Sequence, residues 1–170
     1  MKNQDLYQLF IDELEDMLSA ENQIIESLPK LIKLATFQEL KKGLSDHLKE
    51  TENQVERLEQ IFTLLNLKAR EKECLGMRGI LDEAEEIVKN KKHSPLLDAA
   101  IISAAQKVEH YEIASYGTLR SFAKHLNFDS EIIDLLQENL DEEGAADKKL
   151  TKIADGTFFS SGVNKEAVRT

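Results

Sequence analysis

The sequence predicts an all-α protein, a bundle of four long helices paired as two antiparallel hairpins. Three observations predict it. Apolar residues recur at helical spacing through four long segments, only two Pro and seven Gly interrupt 170 residues, and short turns separate the segments within each pair while a longer stretch separates the pairs. Strands would require more turn chemistry and an alternating apolar pattern. A chain of 170 residues can bury one substantial core and is most economically one domain. That domain is expected over 1–157, with 158–170 a flexible C-terminal tail.

The first helix is expected from about Asp5 to Ala35, with Leu6, Phe10, Leu14, Leu18, Ile25 and Leu28 on its core face. Pro29 should kink its last turns, because proline lacks a backbone donor and clashes with the preceding turn. Thr36-Phe37-Gln38-Glu39 has the form of a capping box. It opens a second helix through Leu44, Leu48, Val55, Leu58 and Phe62 to about Leu67. Residues 68–93 form a crossover with a modest helix over Gly79 to Asn90, whose Glu83, Glu85 and Glu86 mark a solvated face. Ser94-Pro95 supplies an N-cap and a first-turn proline for a third long helix. That helix runs to about Leu126 with Leu97, Ile101, Ala105, Val108, Tyr116 and Leu119 inward. Asn127, Phe128 and Asp129 make a tight turn, Asp129 or Ser130 caps a fourth helix over Glu131 to Ala154, and Gly156 ends it. Two hairpins joined by one long crossover form the ferritin-like arrangement.

The formal net charge of -10 attracts cations and repels phosphate backbones, which argues against nucleic-acid binding. The single cysteine, Cys74, cannot form an intramolecular disulfide and reads as an inert thiol. Met1-Lys2-Asn3-Gln4-Asp5 leads into an amphipathic pattern rather than a signal segment. The longest apolar run, Ala99 to Ala105, falls far short of the ~20 residues that span a bilayer. A cytoplasmic protein with no membrane contact is the expectation.

Each long segment carries acids within its apolar stripe: Glu21, Glu50, Glu109 with Glu112, and Glu143 with Asp147. Acidic side chains are seldom buried without a cation. Glu21 lies about fifteen residues before Thr36 and Glu50 about fourteen after, so both stand ~21–23 Å from the first turn. Glu112 and Glu143 lie about sixteen and fifteen residues from Phe128, and Glu109 and Asp147 about nineteen, so these pairs are level too. A level ring of carboxylates inside a bundle is the chemistry of a dinuclear metal site, where shared oxygens offset the repulsion between two cations. Such sites often add Glu-x-x-His pairs. Here Asn53 and Ala146 occupy the corresponding positions, and His47, three residues before Glu50, is the candidate nitrogen ligand. The expected ligands are therefore Glu21, His47, Glu50, Glu109, Glu112, Glu143 and Asp147, with Gln54 and Gln106 as supporting donors. Tyr116, one turn from Glu112, is either a core aromatic or a hydrogen-bond partner of a ligand. Glu142, His93 and His125 are expected at the surface, and His110 off the acidic face.

The run Gln106-Lys107-Val108-Glu109-His110-Tyr111-Glu112-Ile113-Ala114-Ser115-Tyr116-Gly117-Thr118-Leu119 closely resembles the third-helix signature of the bacterial YciE/YciF family of ferritin-like proteins. Ser19-Ala20-Glu21-Asn22-Gln23, His47-Leu48-Lys49-Glu50-Thr51 and Leu140-Asp141-Glu142-Glu143 are similar to its other helix motifs. The resemblance spans roughly residues 4–155. It implies a ferritin-like bundle, a homodimer, a di-metal centre, iron first with manganese or zinc as alternatives, and an association with osmotic and general stress. It implies no settled reaction. Two functions follow from these readings. One is a di-iron carboxylate protein that reacts with dioxygen or peroxide; the other is a non-catalytic stress protein whose metal only holds the bundle together. Exposed parts of Phe62, Leu65, Phe158 and Phe159 are the expected apolar contact of a dimer.

Overall fold

The computed structural model describes residues 2–89, 91–157 and 160–169. Its long helices are α1 (Lys2–Leu34), α2 (Gln38–Leu64), α4 (Pro95–His125) and α5 (Ser130–Asp155), with α3 (Leu75–Val88) in the crossover and a short α6 (Val163–Ala167) after α5. Among the described residues the protein is all-helical apart from two antiparallel strands of two residues each, β1 (Gly156–Thr157) and β2 (Ser160–Ser161).

The long helices pack in a ring. α1 lies against α2 and α4, and α5 lies against α2 and α4. Direction follows from the cross-links. Asp98 at the start of α4 reaches Thr36 and Phe37 at the start of α2, whereas Phe10 of α1 stacks on Phe128 beyond the end of α4. The crossover thus returns the chain along the length of the bundle, so that α4 runs antiparallel to both α1 and α5. α3 covers α4 and α1, and α6 covers α4 and α5. With neighbours on several sides, α4 buries a wide face that includes Leu97, Ile101, Ile102, Ala105, Val108, Tyr116 and Leu119. Among the described residues, no helix is long and apolar enough to cross a membrane.

Helix ends show where local signals hold and where distant partners replace them. Ser94 caps α4 by accepting from the Leu97 N–H at 3.3 Å, with Pro95 in the first turn. α2 and α4 both end in the Schellman pattern: Leu67 N donates to Phe62 O and Asn66 N to Thr63 O, as Phe128 N does to Ala123 O and Asn127 N to Lys124 O. Asn66 and Asn127 take φ of 56° and 55°, a region asparagine enters more easily than other side chains.

The capping box at Thr36 does not form. Asp98, 1% exposed, accepts from Thr36 N at 2.7 Å and Phe37 N at 3.0 Å, and also from the Thr36 hydroxyl. A carboxylate from α4 thereby holds the two residues that lead into α2 and ties the crossover's end to the first turn. α3 begins at Leu75, four residues before the expected Gly79, because the Cys74 thiol accepts from Met77 N at 3.3 Å. Cys74 is buried and bonded to the Tyr111 hydroxyl at 3.0 Å, which itself donates to Asp16 at 3.1 Å. α1 continues through Pro29 as one helix.

Where the sequence predicts a flexible tail over 158–170, the described residues 160–169 fold back on the bundle. Val163 of α6 is fully buried. Gly162 approaches the end of α5 so closely that a Cβ there would lie 2.3 Å from the Asp155 carbonyl carbon and from Gly156 N, which leaves no room for a side chain. Of the expected dimer contacts, Phe62 is 1% exposed and belongs to the core, since it lies on the buried stripe with Leu58. Leu65 is half-buried, and Phe158 and Phe159 lie outside the described residues.

Candidate metal centre

Midway along the bundle the apolar core gives way to a layer of polar side chains contributed by all four long helices. α1 supplies Glu21, α2 supplies His47 and Gln54, α4 supplies Glu109 and Glu112, and α5 supplies Glu143. The helical repeat explains the α4 pair. Positions three apart share a face, so Glu109 and Glu112 project together from a helix whose Ala105 and Tyr116 flank them in the core. His47, Glu109, Glu112 and Glu143 each place one ligand atom within 4.8 Å of all the others.

The hydrogen bonds of this layer are incomplete. Tyr116 Oη donates to Glu21 Oε1, and Gln54 Nε2 donates to Glu143 Oε1 and, at 3.1 Å, to Glu142 Oε2. His47 Nε2 lies 3.5 Å from Glu109 Oε1 and its Nδ1 3.8 Å from Glu50 Oε2. Both His47 nitrogens, both Glu112 oxygens and the Oε2 atoms of Glu21, Glu109 and Glu143 are buried without a hydrogen-bond partner. An unsatisfied buried polar atom costs ~1–3 kcal/mol, and more if charged. Concentrating so many at one level is unfavourable unless cations or protons answer them.

The electrostatics agree. Burial, followed by the charge of Glu143, pushes the Glu21 carboxyl up to about 8, against the opposing hydrogen bond from Tyr116. Burial also drives Glu109 and Glu112 well above the ordinary carboxylate range, with Glu143 adding to both and the remaining acids adding further. The Tyr116 phenol is raised by its own burial and by Glu21. Without a cation this layer holds protons; with one, the same oxygens and the imidazole form a donor set suited to hard or borderline divalent ions. The residues fit a metal.

Not every expected ligand converges. Glu50 sits three residues from His47, roughly 60° around the helix, which turns its side chain to the seam between α2 and α5, where it is 42% exposed. The His47 imidazole beside it holds its carboxyl below the ordinary range. Asp147 faces α4 away from the cluster, accepting from Gln106 at 3.1 Å, with His110 Nε2 at 3.4 Å. It is one turn beyond Glu143 but on the outer shoulder of the stripe that Asn139, Glu143, Ala146 and Leu150 bury. His93 and His125 are exposed, as expected. Glu142 is not a free surface acid: Arg57 grips both its oxygens at 2.8 and 2.9 Å and also donates to Asn139 at 2.9 Å. Arg57 had no local signature, since its partners lie on a helix more than eighty residues away and only the packing of α2 on α5 joins them.

Comparison with known proteins agrees along nearly the whole chain. The family described as Domain of unknown function (DUF892) matches residues 5–167. Protein YciF of Escherichia coli (strain K12) is 40% identical over 166 residues, covering 97% of this chain and 99% of that protein. The solved structure of YcfI from Rhodopseudomonas palustris superposes with a TM-score of 0.85 at 44% identity, covering 88% of this chain and 94% of the other. That of the E. coli stress protein YciF gives 0.82 at 42% identity, covering 86% and 92%. With a match over most of its length and relatives this similar, the chain belongs to the DUF892 family of YciF-like proteins.

Proposed function

We propose that this chain is a ferritin-like, di-iron carboxylate protein of the bacterial stress response. The observation that carries the reading is the set of partnerless oxygens and nitrogens on His47, Glu109, Glu112 and Glu143, fully buried yet within ligand distance of one another. Glu21 of α1, fixed by Tyr116, completes the donor set. Glu21, His47, Glu109, Glu112 and Glu143 would hold a pair of iron ions, which would supply the electrons for reduction of dioxygen or peroxide. The protein's own part is positional. Gln54 orients Glu143, Tyr116 orients Glu21 and holds its proton away from solvent, and the surrounding Leu and Ile side chains keep the layer dry. The up-down-down-up course of the four helices supports the ferritin-like assignment, and likeness to the E. coli stress protein YciF supports the physiological one.

Elemental analysis of protein purified without added metal, followed by the change in iron absorption on adding peroxide, tests the proposal. About two iron per chain and a spectral change that follows peroxide are expected. Metal that binds but gives no such change would leave only the scaffold role, in which binding free energy acts as folding free energy. We further propose a cytoplasmic homodimer, with Leu64 and Leu67, 37% and 36% exposed at the end of α2, beside half-buried Leu65 as apolar contacts. Light scattering that returned a monomer at every concentration would reject the dimer.

A further inference from the structure

Among the described residues, a cleft reaches the buried layer. A cavity of about 130 Å³ opens between α2 and α5, and Gly43, His47, Glu50, Glu109, Ala145 and Ala146 are among its walls. A larger cavity of about 640 Å³ lies between α1 and α3, but none of the clustered carboxylates lines it. A third, about 20 Å³, touches His47 and Glu109 from the α3 side and has room for little more than a single water.

The contents of the α2–α5 cleft are graded from water to core. Glu50 stands 42% exposed at its mouth, the His47 side chain is 7% exposed, and that of Glu109 is 2% exposed at the floor. The distances form a chain: Glu50 Oε2 to His47 Nδ1 is 3.8 Å, and His47 Nε2 to Glu109 Oε1 is 3.5 Å. Neither His47 nitrogen makes a hydrogen bond, although a buried imidazole ordinarily does so through at least one. The walls beside this chain combine Gly43, Ala145 and Ala146 with Leu44, Ile153 and Lys149, whose ammonium is held by Asp46 at 2.9 Å. A Cβ placed on Gly43 would already lie 3.4 Å from Ile153 Cδ1 and 3.7 Å from Lys149 Cε, so a larger side chain there would cross the cleft.

Resting on the reading of the buried layer as a metal centre, we propose that the α2–α5 cleft is the route by which a divalent cation reaches it. Glu50 captures the ion at the mouth and His47 hands it to Glu109. This gives Glu50 a role that its place outside the cluster would otherwise leave unexplained: it is a transit ligand rather than a resident one. A hydrated ion meets one exposed carboxylate first, and each inward step exchanges water for a protein donor before the ion is fully desolvated.

The test is the rate at which the metal-free full chain takes up Co²⁺, followed by the visible absorption of the bound ion, together with cobalt per chain at equilibrium. Glu50→Ala should slow uptake about tenfold by removing the negative charge that concentrates cations at the mouth, with final cobalt content unchanged. Gly43→Leu and Ala145→Leu should slow it as well by narrowing the cleft. Ala145 is exposed, so its replacement keeps the test valid should Gly43→Leu fold poorly. Uptake at the wild-type rate in both cleft variants would overturn the route. A final cobalt content that falls in Glu50→Ala would make Glu50 a resident ligand and overturn its transit role. A wild-type chain that binds no cobalt would instead defeat the metal-centre reading, and the route with it.

Discussion

Two levels of the same core follow opposite rules. At the end of the bundle where α1 begins, Phe10 meets Phe128 edge to face at 5.1 Å and Tyr7 meets Phe128 at 6.0 Å. Phe10 is fully buried, and the side chains at this end are held by apolar area and ring packing. Half the bundle away, Glu21, Glu109, Glu112 and Glu143 occupy space of equal burial with polar atoms left unmatched. The first level is indifferent to pH and cations. The second is stable only when protons or metal complete it. The bundle therefore carries its stability at the ends and its chemistry at the waist.

The largest effect that could break this comparison is at the dry end. Phe10→Ala should cost about 3–5 kcal/mol by transfer and cavity formation. The loss should be the same with or without metal and between pH 5 and pH 8 in denaturant titration; a loss that varied with metal would show that the two levels are not independent. Next comes Asp98→Ala, which removes the carboxylate that holds the Thr36 and Phe37 N–H groups ahead of α2, at about 1.5–3 kcal/mol for hydrogen bonds to a charged group. Asp98→Asn should recover part of this, because one amide oxygen can still accept.

At the waist the sign reverses. Glu112→Gln keeps the side chain's shape and removes its charge, so it should raise the melting temperature of the metal-free protein near neutral pH while weakening metal binding tenfold or more. An ordinary paired acid would give the opposite, with metal content unchanged and the metal-free form weakened.

The pH dependence follows the same logic. Glu21 titrates at about 8 when folded against 4.5 ordinarily, so the folded state retains a proton that the unfolded state loses in that window. The metal-free protein should be most stable below about pH 4.5 as far as this group is concerned. Its stability should then fall as pH rises toward 8, by at most ~1.4 kcal/mol per pH unit for one proton. Glu109 and Glu112 shift in the same direction and steepen the fall. Bound metal should abolish it. Melting curves across that range check the prediction, and a metal-free melting temperature that does not change would contradict it. The smallest effect is expected for Tyr116→Phe, about 1 kcal/mol for a lost hydrogen bond, with looser metal binding because Glu21 is no longer oriented.

The residues that make helices were legible in the chain, as were those that face inward. Apolar periodicity placed four long helices and their short turns, Ser94-Pro95 marked a true helix start, and the acids within the stripes marked the polar waist. These depend on contacts three or four residues apart, which the sequence spells out directly. Glu50 and Asp147 show where that reasoning stops. A carboxylate roughly 40–60° off the stripe is level with the cluster but does not face it, and level was all that counting along the chain could measure.

What tertiary structure alone decided is every arrangement that joins residues far apart in sequence: Asp98 holding the Thr36–Phe37 turn in place of the Thr36 box, Arg57 gripping Glu142, and α6 folding over α4 and α5. The sequence by itself determined helices, core faces and the presence of buried charge, because a helix's periodicity is local. The identity of each partner was decided by how the helices pack, since rotation of a helix by tens of degrees changes which side chains meet while leaving its apolar pattern intact.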